Sequence, residues 1–552
     1  MKFKITNGLL FDPIQNFDKK KKDIFVDGNK IVDPSSEEKK KYITSYDVDG
    51  MIVMAGAIDM HSHIAGGNVN NARLLMPEIH KMFVENTLKS RKNNPSLGSS
   101  RWTVDGTGYR YSEMGYTTVV EPAVLPINAL VTHLELESIP MIDKAGLGIV
   151  GNDNFLLDSL SKKKGQSFID DYVGWTINSS KCLGLKVINA GGSEVFKQRG
   201  NAESYTLDDI VPSYGVTSRQ ILESLNIANE NLKIPHPVHV HCNNLGMAGN
   251  INSIIDTIEG AQGRRMHLAH VQFYGYDDKG KKGFSSGALK LAESVNKNKN
   301  ITVDVGQVMF HPTVTISSDI WKQNNAKNFA NPNKWIISEV ETGGGGVVPY
   351  EYKKKNFVNA LQWVIGLELF LLIKDPWRVF LTTDHPNGAP FTSYPKLIRL
   401  LMDLDYRNSE LEKINPFVKN MSDLKGIKRV YSLYEIAIMT RAAPAKILGL
   451  SDRGSLKPGS IADISIYDSS KEVDEMFSSA KYVFKNGQKI IENGRIVKTL
   501  KCSTISVDTN YDKRIHKNLQ KWFDKNYNIK LDTFNVESEF FYPNTFKSLK
   551  PN

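Results

Sequence analysis

Eight short apolar segments, each followed by a stretch with helical character, most constrain the folds open to this chain. They lie at 52–60, 117–124, 147–152, 184–189, 237–242, 266–273, 301–308 and 378–383. Strands that alternate with helices pair in parallel, and eight of them close into a (β/α)8 barrel. Two of the helices between them are legible. Ser218 to Lys233 is amphipathic, and Asn356 to Ile373 leads into the last strand across Lys374-Asp375-Pro376. Ser432-Leu433-Tyr434-Glu435 has the form of a capping box and predicts a helix from there to about Leu450. The 552 residues exceed one ordinary core, yet single barrels with insertions reach this length.

The two ends read differently from the middle. Asp23-Ile24-Phe25-Val26 runs into the turn signal Asp27-Gly28 and a second apolar piece, Ile31-Val32. Matching signals return in Ala462 to Tyr467 and Tyr482 to Lys485, with Asn486-Gly487 and Asn493-Gly494 as turns. Both ends are therefore expected to build one small composite β domain. The expected division is 1–50 and 451–504 for that domain, 51–450 for the barrel and 505–552 for a tail. The tail is polar, aromatic and turn-rich, and carries no assignable chemistry.

A content of 40% hydrophobic and 24% charged residues is that of a soluble globular chain. Cys182, Cys242 and Cys502 are far apart and odd in number, which excludes a disulfide framework and a CxxC zinc knuckle and suits a reducing, cytoplasmic home. The first residues lack the apolar core of a signal peptide. The longest apolar run, Val358 to Ile373, contains Asn359, Gln362 and Glu368 and reads as a buried helix rather than a membrane span. The net charge of +10 comes with lysines in short runs (19–22, 39–41, 162–164, 353–355), the look of solvated loops. No nucleic-acid motif accompanies it, so neither nucleic acid nor membrane is an expected partner. Gly343 to Gly346 lacks the Gly-Lys-Ser/Thr ending of a phosphate loop and reads as a flexible loop near the pocket.

Barrels carry their reacting groups at the C-terminal ends of the strands. The first segment ends in His61-Ser62-His63, two imidazoles that an extended chain projects to one face. The fourth holds Lys186 in an apolar run, where a charged ammonium is costly. The fifth offers His239 and His241 on one face; the sixth ends in His270, with His267 on the opposite face; the eighth ends in Asp384. Taken singly these are buried histidines satisfied by backbone, a snorkelling lysine and a helix-capping aspartate. Together they have the donor types of a metal site.

The set resembles the ligand set of the amidohydrolase superfamily. Longer segments are similar to the A-type subunits of formylmethanofuran dehydrogenase and of the related formyltransferase/hydrolase complex: His61 to Gly66, Pro237 to Gly246, Ala269 to Phe273, Asn359 to Trp363 and Leu381 to Gly388. The similarity runs from the N-terminal β segment to about residue 500. It implies two zinc ions, or similar divalent metals, held by His61, His63, His241, His270 and Asp384 and bridged by a carboxylated Lys186. Of the strand-five pair, His241 stands nearer the mouth and His239 is the alternative. The resemblance further implies that Asp384 is catalytic, moving a proton from water to the leaving amine as formylmethanofuran is cleaved to formate and methanofuran, or the reverse. Other subunits of such a complex are the implied partners, and with no cysteine cluster here any redox chemistry belongs to them. An amidohydrolase acting on another linear or cyclic amide, and a non-catalytic scaffold role within a complex, are the competing readings.

Overall fold

The computed structural model describes residues 2–76, 103–200, 204–280, 283–340 and 343–551. A curled sheet of eight parallel strands forms its centre: β1 (Ala57–Asp59), β2 (Tyr116–Val124), β3 (Asp143–Val150), β4 (Gly184–Ile188), β5 (Val238–His241), β6 (Met266–Leu268), β7 (Ile301–Asp304) and β8 (Val379–Phe380). Each pairs with the next in chain order. The ring closes just beyond β8 and β1, where Ser62 and His385 form a parallel bridge and the His63 N–H donates to the His385 carbonyl at 2.7 Å. The expected barrel is present.

Three strands stop earlier than the sequence suggests, at Leu268, Asp304 and Phe380. The backbone just beyond each turns left-handed, with φ of 37° at His270, 66° at Gly306 and 49° at Asp384, and such residues break a ladder. The segment read as one strand over 52–60 is two. Ile52–Ala55 joins another sheet and Ala57–Asp59 the barrel, with Gly56 between them. A Cβ on Gly56 would stand 2.2 Å from Thr117 Oγ1, so only glycine lets the chain cross β2 this closely.

The chain ends meet as expected. One seven-stranded sheet orders Arg495–Ile496, Gln488–Glu492, Tyr482–Lys485, Ile464–Tyr467, Ile52–Ala55, Leu9–Asp12 and Phe17–Lys21. A four-stranded sheet built on Lys2–Thr6 packs against it through Phe3, Ile5, Val26, Val53, Ile464 and Phe484, with the Phe3 and Phe484 rings stacked 4.8 Å apart. Asn486-Gly487 and Asn493-Gly494 have positive φ at both residues, the twist that two-residue hairpins need. Ser218–Asn231 and Phe357–Leu372 are helices, and Ser432 and Glu435 form the capping box reciprocally at 3.2 and 2.9 Å. No helix among the described residues is long and apolar enough to cross a membrane.

Two segments depart from expectation. Gly343 to Gly346 is no loop: Gly343–Glu351 is the middle strand of an antiparallel sheet with Pro312–Ser317 and Ile336–Val340, inserted after β7. Its glycines allow close packing, since Cβ atoms on Gly345 and Gly346 would stand 2.3 Å from the Ser317 carbonyl and 2.6 Å from that of Ile336. The stretch beyond 504 is folded onto the barrel. Thr504–Val507 spans the expected boundary and pairs in parallel with the start of β3, Phe546–Leu549 pairs with it in turn, and Ile515–Asn526 buries Ile515, Leu519 and Phe523.

Candidate functional site

All six residues singled out from the sequence come together. His61, His63, Lys186, His241, His270 and Asp384 line a cavity of about 370 Å³ at the C-terminal ends of the strands. Asp384 Oδ1 is 3.0 Å from His61 Nε2 and 3.4 Å from His63 Nε2. His61, His270 and Asp384 each offer a ligand atom within 4.8 Å of the others, a group that can hold a metal ion. Four buried atoms here have no hydrogen-bond partner: His61 Nε2, His270 Nδ1, Asp384 Oδ1 and Lys186 Nζ. Each orphaned buried polar atom costs on the order of 1–3 kcal/mol. His61 Nε2 and Asp384 Oδ1 are close without being aligned as a hydrogen bond, which is how two lone pairs aimed at one cation stand. The donor set fits a divalent metal.

Carboxylates beneath the cavity orient these rings. His63 Nδ1 donates to Glu121 Oε1 at 3.1 Å, and Glu121 Oε2 also accepts from the backbone N–H groups of Ile64 and Ala65. Asp304 Oδ2 lies 3.2 Å from His61 Nδ1, and its Oδ1 accepts from the His270 N–H and the Thr382 hydroxyl. Asp319, the N-cap of Ile320–Ala326, receives His241 Nε2 at 3.2 Å. Sequence reading missed all three. Glu121 and Asp304 sit near the ends of apolar strands, the signal that marked Asp384; Asp319 lies in the inserted sheet region and has no local mark.

The electrostatics suit a cation. Burial pushes the Lys186 ammonium down to about 8 despite the nearby Asp304 and Asp384 charges. Burial would lower the His63 imidazole too, but the neighbouring Asp384 and Glu121 carboxylates outweigh it and raise His63 to about 9. A field that holds a proton there also draws a metal ion.

Two further histidines are placed by the structure. His241 lines the cavity, whereas His239 lies a layer lower, fully buried, with its Nε2 3.0 Å from His61 Nδ1. His267 was expected on the face opposite His270. It points inward instead, its ring 4.4 Å from that of His239 and its Nε2 3.1 Å from Asp304. β6 ends at Leu268 and the backbone twists at His270, so strand alternation does not connect the two.

Residues 45–491 match the family described as the amidohydrolase family. The chain belongs to that family. Among amidohydrolase relatives, it is 44% identical over 528 residues to the A-type subunit of the formyltransferase/hydrolase complex Fhc of Methylorubrum extorquens, covering 95% of this chain and 94% of that one. It is 37% identical over 576 residues to protein FwdA of Methanocaldococcus jannaschii, covering 100% and 99%. The crystal structure of FhcABCD from Methylorubrum extorquens in complex with methylofuran contains a chain that superposes with a TM-score of 0.94 at 42% identity, covering 100% of both.

Proposed function

We propose that this chain cleaves the N-formyl group of a formylated methanofuran-type amine to formate and the free amine, or forms it in reverse. It would work as the A-type subunit of a complex of the Fhc or formylmethanofuran dehydrogenase kind, with formate, the furan amine and the other subunits as its partners. What supports the reading is the convergence of four unpartnered buried donors at one end of the cavity, in a chain 44% identical to the A-type subunit of Fhc.

His61, His63, His241, His270 and Asp384 would hold two zinc-type ions. A pair of such ions supplies a Lewis acid for the formyl oxygen and lowers the pKa of water. The rest is done by the chain. Lys186, held near 8, offers a neutral amine that adds carbon dioxide with loss of one proton, and the carbamate's two oxygens complete the donor set. Asp384 accepts the proton of the water that attacks the formyl carbon and delivers it to the amine nitrogen as the C–N bond breaks. Phe273, Phe284, Ile316, Tyr350 and Tyr352 line the cavity; they exclude bulk water and seat the body of the amine. Every step is reversible, so the demand of the partner subunits sets the direction.

The test is formate release from formylmethanofuran by the purified protein, alone and with its partner subunits, wild type beside Asp384→Asn. Loss of a general acid-base group lowers the rate by about 10²- to 10⁴-fold, with about two metals per chain retained in both proteins. Full activity in Asp384→Asn would refute the proton role. Hydrolysis of a ring amide without formate release would refute the substrate.

A further inference from the structure

One nitrogen of His61 faces the cavity; the other begins a line of imidazoles running down into the barrel. His61 Nδ1 lies 3.0 Å from His239 Nε2, His239 Nδ1 lies 3.1 Å from His236 Nε2, and His236 Nδ1 faces the Ile447 carbonyl at 3.4 Å. All three rings are fully buried. Ile447 ends the helix Ala443–Ile447, and a helix leaves its last carbonyls without internal partners.

Rings joined nitrogen to nitrogen share one hydrogen per link, so the end of the line sets the pattern throughout. A carbonyl only accepts. His236 therefore carries its hydrogen on Nδ1 and presents a bare Nε2; His239 donates to that from its own Nδ1, and His61 donates from Nδ1 to His239. The last bare nitrogen is His61 Nε2, the atom that stands beside Asp384 Oδ1 with no hydrogen bond. The opposite polarity would aim a His236 lone pair at a carbonyl oxygen and push an N–H of His61 into the donor cluster. Asp304 Oδ2, 3.2 Å from His61 Nδ1, takes the same hydrogen and favours the same choice.

We propose that His239 and His236 are positioning residues: with Asp304 they lock His61 in the tautomer whose Nε2 is free to hold a divalent cation. This rests on the metal reading above. A barrel layer needs apolar volume, which leucine supplies without burying polar nitrogens; two imidazoles linked end to end supply hydrogen bonds of fixed direction as well. His63 receives the same service from Glu121.

The test measures metal binding rather than turnover. The protein is stripped with a chelator, then titrated with zinc against a competing chelator and with cobalt(II), whose visible spectrum reports ligand geometry. His239→Leu removes one of the two acceptors for His61 Nδ1 and leaves Asp304; His239→Gln keeps an amide oxygen there; His236→Leu removes only the far link. We expect His239→Leu to weaken zinc binding by about 10- to 100-fold and to change the cobalt spectrum. His239→Gln should keep most of the affinity, and His236→Leu should fall between. Wild-type zinc affinity and an unchanged cobalt spectrum in a folded His239→Leu would overturn the proposal. If that variant does not fold, His236→Leu decides: weakened binding supports the relay and unchanged binding overturns it. A wild type that binds neither metal overturns the metal reading itself, whereas a metal-binding wild type with indifferent variants overturns only the relay.

Discussion

At the scale of single residues, burial is the main force on the titratable groups, and its consequences can be read outside the candidate site. Glu368 lies on the helix Phe357–Leu372, its carboxylate accepting from Ser286 Oγ at 2.6 Å, Ser422 Oγ at 3.2 Å and the Asp423 N–H at 3.2 Å. Burial outweighs those hydrogen bonds and pushes the group up to about 7. In the unfolded chain a glutamate titrates near 4.3. Between those values the folded state keeps a proton that the unfolded state has lost, so stability is fully present below about pH 4.3 and falls as pH rises through 7. The size is about 3–4 kcal/mol, from 1.36 kcal/mol per pKa unit. Glu368→Gln cannot ionise, keeps acceptor and donor atoms in place, and should remove that part of the decline. The check is urea unfolding of both proteins at several pH values from 4.5 to 8. A difference between them that stays constant with pH would show that Glu368 is not titrating in this window.

At the scale of elements, the inserted sheet illustrates what pattern alone conveys and what it does not. Thr315 and Ile316 of Pro312–Ser317 and Tyr350 of Gly343–Glu351 form part of the cavity wall. The sheet is tight enough that a side chain on Gly345 meets backbone, 2.3 Å from the Ser317 carbonyl and 2.8 Å from Ser318 Cα. Gly345→Val should splay this wall, costing about 1–3 kcal/mol in stability and raising KM more than it lowers kcat. Unchanged KM for the formylated substrate would mean that the wall does not touch it. Four glycines in a row carry no hydrophobic alternation, so the sequence offered only a loop there. The barrel strands were legible because burial on both faces makes them continuous apolar runs, and the hairpins because Asn-Gly states its own geometry. His61, His63, His241, His270 and Asp384 stood out because each stands at the end of such a run, and Lys186 because it interrupts one. Glu121 and Asp304 interrupt β2 and β7 in the same way and were legible by the same rule. The direction of His267 was not legible, because it depends on where β6 ends and the left-handed turn at His270 begins.

At the scale of the whole molecule, the barrel and the composite β domain are tied by a buried ionic cluster. Asp143, the first residue of β3, accepts from Lys485 Nζ at 2.7 Å and Arg453 Nη1 at 2.6 Å, and Lys485 also reaches Asp463 at 2.7 Å. Lys485 lies on a strand of the composite domain, so this contact fixes how the two ends of the chain sit under the barrel. Burial would raise the Asp143 carboxyl, but the Lys485 and Arg453 charges overcome it and hold the group far below the carboxylate range. A carboxyl depressed in the folded state contributes stability above its unfolded value near 3.9, and that contribution is lost as pH falls toward the folded value. Lys485→Met keeps the stem and removes the charge. It should cost about 3–5 kcal/mol at neutral pH, because two buried carboxylates lose their shared partner. The deficit should shrink in acid, where protonation relieves the carboxylates that the variant leaves short of a partner while Lys485 and Arg453 keep Asp143 ionised in the wild type. Adding Asp463→Asn to Lys485→Met should recover part of the loss at pH 7 and little at pH 4, which unfolding midpoints for the four proteins of the cycle would measure. A deficit equal at both pH values would mean that Lys485 acts through the packing of its stem and not through its charge. In that case the packing of the Lys485 stem and the Arg453–Asp143 pair would join the β domain to the barrel.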